Sequence, residues 1–320
     1  MPKRRIIAGV LATQLLVTLM TLSAAHSTVP GANGLIAFSP NSEGLTVIDP
    51  ASGVTTQVTT NPNDENPAWS ANGRRIFFDR VRPSTGRSAI FSIHPDGTSL
   101  HRLTGFRAYD QAPWPLPGGG FVFTRYWSLG TDLYPTHQEI QERVEGLTIR
   151  LTNGKARHIY PAASPDGSRI AFLRTPSGCC DFQLRVMNRD GSHKTTLSHS
   201  AAYAAIDWSP DGSSIGFATD SLNGDPTQMA ALVDTSTGEQ QVLPGTESAE
   251  AGIGSVAFSP DGTKLLVVQD TPYGDYFSIY DLAGVHLQDL YPGPGEFYFG
   301  RAEWQPLKLC KATAEVFVQA

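Results

Sequence analysis

The sequence predicts an all-β protein built from repeated four-stranded antiparallel units. The phrase Ser-Pro-Asp-Gly, followed by a short apolar run, occurs at 164–174, 209–220 and 259–270. Related phrases return every 45 to 50 residues along the chain. The 320 residues include 31 glycines and 23 prolines, and only 17% are charged. This composition is typical of folds with many tight turns and not of helical bundles.

Each repeated phrase predicts a β-hairpin. Proline presets the backbone at the second turn position, aspartate bonds the turn through its side chain, and glycine supplies positive φ. The first strand ends at an aromatic residue or alanine, and a short buried strand follows the turn. We therefore expect the serines and aspartates of the phrase to be structural. The residues that end the first strands are Trp69, Trp114, Ala163, Trp208 and Phe258.

A second strand–glycine–strand segment follows in every unit and predicts a second hairpin. Six such turns predict six units of four strands, although only five complete first hairpins occur. The glycines of these turns are Gly53, Gly97, Gly154, Gly191, Gly238 and Gly284.

The sixth first hairpin is predicted to be split between the two ends of the chain. Residues 33–38 read as a second strand without a first, and residues 301–307 read as a first strand without a second. Trp304 follows Phe258 by 46 residues, in step with the repeat. The sequence thus predicts a six-bladed β-propeller over 33–307, closed by its C-terminal strand, with 308–320 as a tail. Closure removes exposed sheet edges.

The repeated phrase resembles the WD40-like (PD40) repeat of the TolB family, over about residues 33–307. The resemblance implies a six-bladed propeller. It also implies an extracytoplasmic protein that binds a peptidoglycan-associated lipoprotein of the outer membrane. TolB carries an α/β domain before its propeller, and this chain resembles the propeller part without that domain.

The N-terminus has the pattern of a secretory signal peptide over residues 1–25. Three basic residues precede an apolar stretch at 6–22, and small residues mark a cleavage site near Ala25. An uncleaved anchor is the alternative, but the stretch is short for a span and polar residues interrupt it. We expect a periplasmic or secreted protein without stable membrane insertion after cleavage.

The net charge limits the kinds of partner that the chain can bind, and the cysteine count limits the disulfides that it can form. The net charge of −6 would become −9 after cleavage, because the leader carries three positive charges and no acid. This balance argues against a nucleic-acid partner. The chain has three cysteines, and an odd number leaves one thiol over if a disulfide forms. Cys179 and Cys180 could pair with each other, or one of them could pair with Cys310.

Binding is expected on the face that we call the loop face, which carries the connections from second to third strands and between units. The opposite face, the turn face, carries the tight glycine turns. Connections of this kind hold most binding residues on a rigid scaffold. The largest is 125–146, with Tyr126, Trp127 and Tyr134 and a short helix expected from Thr136. We expect a monomer that binds a protein or a cell-envelope component.

The links into the first strands are expected to meet at the mouth of a central channel. Their acids could hold Ca²⁺ or receive a basic partner, or they could be ordinary exposed loop acids; no other cofactor is expected. The candidate residues in these links are Asp64, Glu65, Asn66, Asp110, Gln111, His158, Tyr160 and Glu250.

The sequence favours a binding scaffold over an enzyme. It contains no Gly-x-Ser-x-Gly elbow, no phosphate-binding Walker loop and no His-Glu-x-x-His pair. The alternative is a hydrolase or lyase that acts on a sugar or lactone at the channel mouth. Its candidate groups are Asp64, Glu65, Asp110, His158 and Glu250.

Overall fold

A computed structural model describes residues 31–40, 43–126, 137–154, 156–176, 181–220, 227–248, 252–269, 276–290 and 300–307. The secondary structure within these ranges consists of 24 strands. None of the described ranges forms a helix long and apolar enough to cross a membrane.

The strands form antiparallel sheets that follow one another along the chain. The first sheet joins β24 (Glu303–Leu307), β1 (Ala32–Phe38), β2 (Thr46–Ile48) and β3 (Thr55–Gln57). The second contains β4 (Asp64–Trp69), β5 (Ile76–Val81), β6 (Ser88–Ile93) and β7 (His101–Arg102). The third contains β8 (Tyr109–Pro115), β9 (Phe121–Tyr126), β10 (Glu139–Val144) and β11 (Leu147–Arg150).

The next sheet has eight strands, and the last has four. The eight are β12 (Arg157–Ala163), β13 (Arg169–Thr175), β14 (Phe182–Asn188), β15 (Thr195–Ala201), β16 (Asp207–Trp208), β17 (Ser214–Thr219), β18 (Met229–Asp234) and β19 (Gln240–Val242). The last four are β20 (Ile253–Phe258), β21 (Lys264–Gln269), β22 (Tyr276–Asp281) and β23 (His286–Leu290).

The C-terminal strand completes the first sheet, as the sequence predicted. β24 pairs with β1 antiparallel, with Trp304 opposite Ile36. The Trp304 side chain is only 3% exposed and packs in one cluster with Phe38 of the first sheet and with Leu266 of the last. This packing closes the array, because the cluster joins the sheets from the two ends of the chain.

The Ser-Pro-Asp-Gly phrases form tight turns held by their own side chains. The Asp211 carboxylate accepts hydrogen bonds from Ser209 Oγ at 2.6 Å and from the backbone N–H of Ser213 at 3.0 Å. These bonds lower the pKa of Asp211. Gly212 has φ of 73°, which glycine adopts without strain. The structural role predicted for these residues is confirmed.

Five of the six predicted glycine turns join the third and fourth strands of a unit, and one prediction was wrong. In the third sheet the hairpin of β10 and β11 turns at Glu145 and Gly146, which have φ of 50° and 82°. Gly154 lies after β11, and the segment that follows it is β12 of the next sheet. The confirmed turns are those at Gly53, Gly97, Gly191, Gly238 and Gly284.

The long connection expected over 125–146 is shorter than predicted, and residues 137–144, where a short helix from Thr136 was expected, form no helix; Thr136 itself lies outside the described residues. Strand β9 continues to Tyr126, and β10 occupies 139–144. The many polar residues of β10 are more typical of a helix or a loop, but arginines that bond to its two glutamates hold it in the sheet. Glu142 accepts a hydrogen bond from Arg189 Nη2 at 2.7 Å, and Glu139 lies 3.4 Å from Arg150 Nη1.

The first strands of three units carry a β-bulge at the same position. The register of β4, β8 and β12 shifts against the next strand at each bulge. Asn66, Ala112 and Tyr160 lie in these bulges with φ of 53°, 49° and 50°, and a proline follows each of them. A bulge places two residues opposite one and redirects side chains. Here it lets neighbouring side chains of one strand reach the central channel.

Candidate functional site

A polar cavity of about 270 Å³ lies on the loop face, and we call it the loop-face cavity. The three bulges supply most of its wall. β4 contributes Glu65 and Asn66, β8 contributes Gln111 and Ala112, and β12 contributes Ile159 and Tyr160. Further lining residues come from the ends of other strands and from links between units: Ser39, Thr124, Gln138, Tyr203 and Gly300.

The wall of the cavity is polar and nearly uncharged. Among its described lining residues, Glu65 is the only Asp, Glu, Lys, Arg or His. The rings of Tyr160 and Tyr203 lie 5.2 Å apart in an edge-on arrangement. Burial raises the pKa of Tyr160 well above its ordinary value, so its phenol is neutral at physiological pH. The cavity therefore offers mostly neutral hydrogen-bonding groups.

Two hydroxyl groups in the wall lack a hydrogen-bond partner among the described residues. Thr124, in β9, is only 2% exposed, and its Oγ1 has no partner there. The Oγ of Ser39 is also buried and has no partner among the described residues. Buried polar groups in native proteins almost always have a partner, either protein or water. The wall of the cavity thus contains two hydroxyls whose oxygen atoms are almost fully covered and have no partner among the described residues.

The structure brings together four of the residues predicted for the channel mouth: Glu65, Asn66, Gln111 and Tyr160. It places Asp64 and Asp110 differently. The Asp64 carboxylate accepts a hydrogen bond from Arg80 Nη2 at 2.7 Å, and Asp110 accepts one from Arg125 Nη2 at the same distance. Both carboxylates are fully buried in these ion pairs. They tie first and second strands together.

His158 and Tyr126 are also held by packing. The His158 side chain is buried, its Nδ1 lies 3.2 Å from the carbonyl oxygen of Gln138, and its ring packs against Phe172. Burial lowers the pKa of His158 to about 4, so it is neutral at physiological pH. Tyr126 stacks on Tyr109 with ring centres 4.5 Å apart, and burial raises its pKa.

Several predicted residues lie outside the described residues: Trp127, Tyr134, Glu250, Cys179, Cys180 and Cys310. The part of the chain that the structure describes contains no group of three or more His, Cys, Asp or Glu side chains placed to hold a metal ion. The calcium hypothesis therefore has no ligand set among these residues.

A second opening lies at the turn-face end of the channel. This turn-face cavity of about 120 Å³ is lined by prolines and aromatic residues of the repeated phrases and by Asp207 and Glu303. Asp207 accepts hydrogen bonds from the backbone N–H groups of Trp208 and Phe258 at 2.7 and 2.8 Å. Burial raises the pKa of Asp207 to about 7 and also raises the pKa of Glu303.

Arg301 lies between the two openings. Its side chain is buried, and its Nη1 donates to the carbonyl oxygen of Pro113 at 2.8 Å. The guanidinium lies over the Trp114 ring, 4.9 Å from the ring centre. Glu303, Asp207 and Asp79 are the acids that act on its charge. The middle of the channel thus holds a buried arginine near three acids, and burial raises the pKa of each of these acids.

Sequence reasoning missed seven lining residues, of which Ala112 and Ile159 directly adjoin the predicted Gln111 and Tyr160. Tyr203 lies in the link before β16, equivalent to the links that supplied the other candidates, and alignment of that link would have found it. Ser39 and Thr124 lie at or near the ends of second strands, and Gln138 and Gly300 precede strands. No sequence motif marks these four, because their position depends on the ring being closed.

Four-stranded antiparallel blades arranged in a ring, with a C-terminal strand that completes the first blade, define a β-propeller. The propeller is similar to that of TolB. It matches TolB from Acinetobacter baumannii with a TM-score of 0.69 and 20% identity, over 85% of this chain and 67% of that chain. It matches a putative TolB from Agrobacterium tumefaciens with a TM-score of 0.60 and 18% identity, over 83% and 92%.

An oligogalacturonate lyase in complex with manganese is similar at a TM-score of 0.53 and 16% identity, over 76% of this chain and 69% of that chain. At these identities the likeness shows the fold alone. No family model matches the chain. An uncharacterized protein from Agrobacterium fabrum is 29% identical over 137 residues, which are 40% of this chain and 45% of that protein. The match thus spans less than half of that relative.

Proposed function

We propose that this protein is an exported binding scaffold that recognises a protein or cell-envelope partner at its loop face, with the loop-face cavity as the centre of recognition. The main support for this proposal is the cavity itself. Three repeated bulges direct Glu65, Asn66, Gln111 and Tyr160 into one opening. Strain and bulges of this kind are concentrated at functional sites.

The proposal includes a ring of six blades. Four sheets of four strands account for four blades, and the eight-stranded sheet accounts for two, β12–β15 and β16–β19. One residue pair, Ala201 with Thr219, joins these halves through β15 and β17. A junction of a single residue pair supports two separate blades that touch, and not one continuous eight-stranded blade.

The proposal also includes export as a monomer. The basic residues, apolar stretch and small residues of 1–25 support a cleaved signal peptide. The propeller of TolB, which this chain resembles in fold, is the second support. The mature protein would lie in the periplasm or outside the cell.

A scaffold is favoured over the alternative enzyme by the state of the candidate acids. Glycoside-cleaving enzymes generally need two carboxyl groups that flank the scissile bond. Asp64 and Asp110 are engaged with arginines, and His158 is buried. Among the described lining residues, Glu65 is the only carboxylate of the loop-face cavity.

The proposal is tested by affinity capture from the envelope fraction of the source cell, with the mature protein as bait. Gln111→Arg puts a long cation into the loop-face cavity, while Arg74→Glu changes an exposed charge on the turn face. We expect Arg74→Glu to capture the same partners as the wild type. We expect Gln111→Arg to capture at least about tenfold less, because the longer side chain fills the cavity and removes the amide of Gln111 from its wall.

Far-ultraviolet circular dichroism confirms that both variants fold. If folded Gln111→Arg captured its partners as well as the wild type does, the loop-face cavity would not be the recognition centre. Loss of capture by Arg74→Glu alone would move the binding surface to the turn face.

A further inference from the structure

We propose that the loop-face cavity binds one uncharged sugar unit, so that the envelope partner is a glycan. This inference rests on the proposed function, because it takes the loop-face cavity as the recognition centre. It assigns to that cavity a ligand class that the fold does not specify.

The size of the cavity suits a single small ring. Since a water molecule occupies about 30 Å³ in the liquid, 270 Å³ corresponds to roughly nine waters. This is just below the range of about 300–1,000 Å³ found for small-molecule pockets. One monosaccharide unit fits such a space, while a folded peptide segment needs an extended groove or an open sheet edge.

The hydrogen-bonding groups in the wall match hydroxyl groups. The hydroxyls of Ser39 and Thr124 and the phenols of Tyr160 and Tyr203 can each donate and accept, and the side-chain amides of Asn66 and Gln111 do both through separate atoms. One N–H of Asn66 is already donated to Asp79 Oδ1 at 3.0 Å, which leaves its other N–H and its oxygen for a ligand. Each sugar hydroxyl also donates and accepts. A wall of this composition can therefore satisfy several neighbouring hydroxyls at once.

The charge of the wall selects against anions. The described lining residues include no Lys, Arg or His, and they include the carboxylate of Glu65. Phosphates, uronates and C-terminal carboxylates are normally recognised by arginine, lysine or clustered backbone N–H groups. The cavity therefore favours a neutral sugar over its uronic acid.

Apolar surface accompanies the polar groups. The Tyr160 and Tyr203 rings, 5.2 Å apart, share the wall with Ile159 and Ala112. Tyrosine presents an apolar ring and a polar tip, which suits a ligand with both kinds of surface. A sugar ring has C–H groups on its faces and hydroxyls on its rim.

Thr124 offers the most specific test of sugar binding. Its buried Oγ1 has no partner among the described residues, although it lines the cavity. A hydroxyl without a protein partner adds little to stability, and its replacement by a methyl group of the same shape is near neutral or stabilising. If a sugar hydroxyl bonds to Oγ1, the same replacement weakens binding.

Thr175 provides a matched control. It is fully buried, its Oγ1 also has no partner among the described residues, and it does not line the loop-face cavity. Thr124→Val and Thr175→Val are thus the same chemical change in two buried strands, one facing the cavity and one not.

The experiment is isothermal titration of the mature protein with glucose, N-acetylglucosamine and glucuronate, supported by ligand-observed NMR. We expect at least one neutral sugar to bind in the millimolar range and glucuronate to bind more weakly than glucose. We expect Thr124→Val to weaken neutral-sugar binding about five- to tenfold, as loss of one ligand hydrogen bond does. Thr175→Val should bind like the wild type, and neither variant should melt at a lower temperature.

Three results would overturn the inference: no binding of either neutral sugar, equal binding by Thr124→Val and the wild type, or tighter binding of glucuronate than of glucose. The capture experiment separates this failure from failure of the proposed function. If no sugar binds but Gln111→Arg still abolishes capture, the cavity recognises a protein. If Gln111→Arg captures normally, the proposed function fails as well.

Discussion

Asp207 shows how a single buried acid can limit stability. Its carboxylate accepts hydrogen bonds from the backbone N–H of Trp208, the next residue of its own strand, and from that of Phe258 in the neighbouring blade, so it links the two blades. Burial nevertheless raises its pKa to about 7 from an ordinary value of 3.8. Between these values the folded state holds the proton more tightly than the unfolded chain does. Stability contributed by the protonated group is therefore lost as the pH rises from about 4 to about 7.

We predict that Asp207→Asn removes this pH dependence. The free energy of unfolding of the wild type should fall relative to that of Asp207→Asn by on the order of 2 kcal/mol between pH 5 and pH 8. Urea denaturation at the two pH values measures it. Asp234→Asn is the control, because hydrogen bonds from Ser236 and Thr237 lower the pKa of Asp234 to about 2. An unchanged difference between wild type and Asp207→Asn would contradict the prediction.

Residue-level prediction of the site was limited by orientation. The sequence indicated both Asp64 and Glu65, but only Glu65 lines the loop-face cavity, while Asp64 pairs with Arg80. Neighbouring residues of a strand point to opposite sides, and a bulge changes that alternation. The bulge at Asn66 depends on positive φ before a proline, which no pattern of apolar and polar residues reveals.

At the scale of elements, the bulged first strands connect the fold to the cavity. Ala112 has φ of 49°, and its N–H donates to Asp79 Oδ1 of the neighbouring blade at 2.9 Å. The left-handed conformation suits glycine and is strained for β-branched residues. The hydrogen bond to Asp79 fixes the bulge and therefore the wall of the loop-face cavity.

We predict different losses of stability for two substitutions at this bulge. Ala112→Val should lower the free energy of unfolding by about 2 kcal/mol, because a β-branched residue is strained at positive φ. Ala112→Gly should change it by less than about 1 kcal/mol, since glycine tolerates the conformation. Chemical denaturation of both variants measures the difference. Equal losses would mean that backbone strain at Ala112 does not contribute.

Most elements could be predicted from the sequence because their turns carry their own chemistry. Five second hairpins have their glycine where the pattern placed it. The prediction of the third sheet was wrong for two physical reasons. Asn153 and Gly154 imitate a hairpin turn although they lie between sheets, and the polar strand β10 depends on Arg189 of the next blade for a partner. A contact between blades cannot be read from the local sequence.

At the scale of the whole molecule, closure determines where every site residue lies. Trp69 Nε1 donates to the carbonyl oxygen of Glu303 at 3.1 Å, and the backbone N–H of Trp69 donates to the Glu303 carboxylate at 2.9 Å. The C-terminal strand is thus bonded both to β1 and to the second sheet. The spacing of Trp304 predicted this arrangement, because the repeat continues in step to the end of the propeller.

The most direct test of closure is a disulfide between the two ends of the ring. Ala32 and Leu307 lie opposite each other in the register of β1 and β24. In a background with Cys179, Cys180 and Cys310 replaced by serine, Ala32→Cys with Leu307→Cys is predicted to form an intramolecular disulfide on mild oxidation and to melt at a higher temperature. Ala32→Cys with Val54→Cys, a pair without such register, should stay reduced. Free thiols in the first variant, or only intermolecular disulfides, would contradict closure.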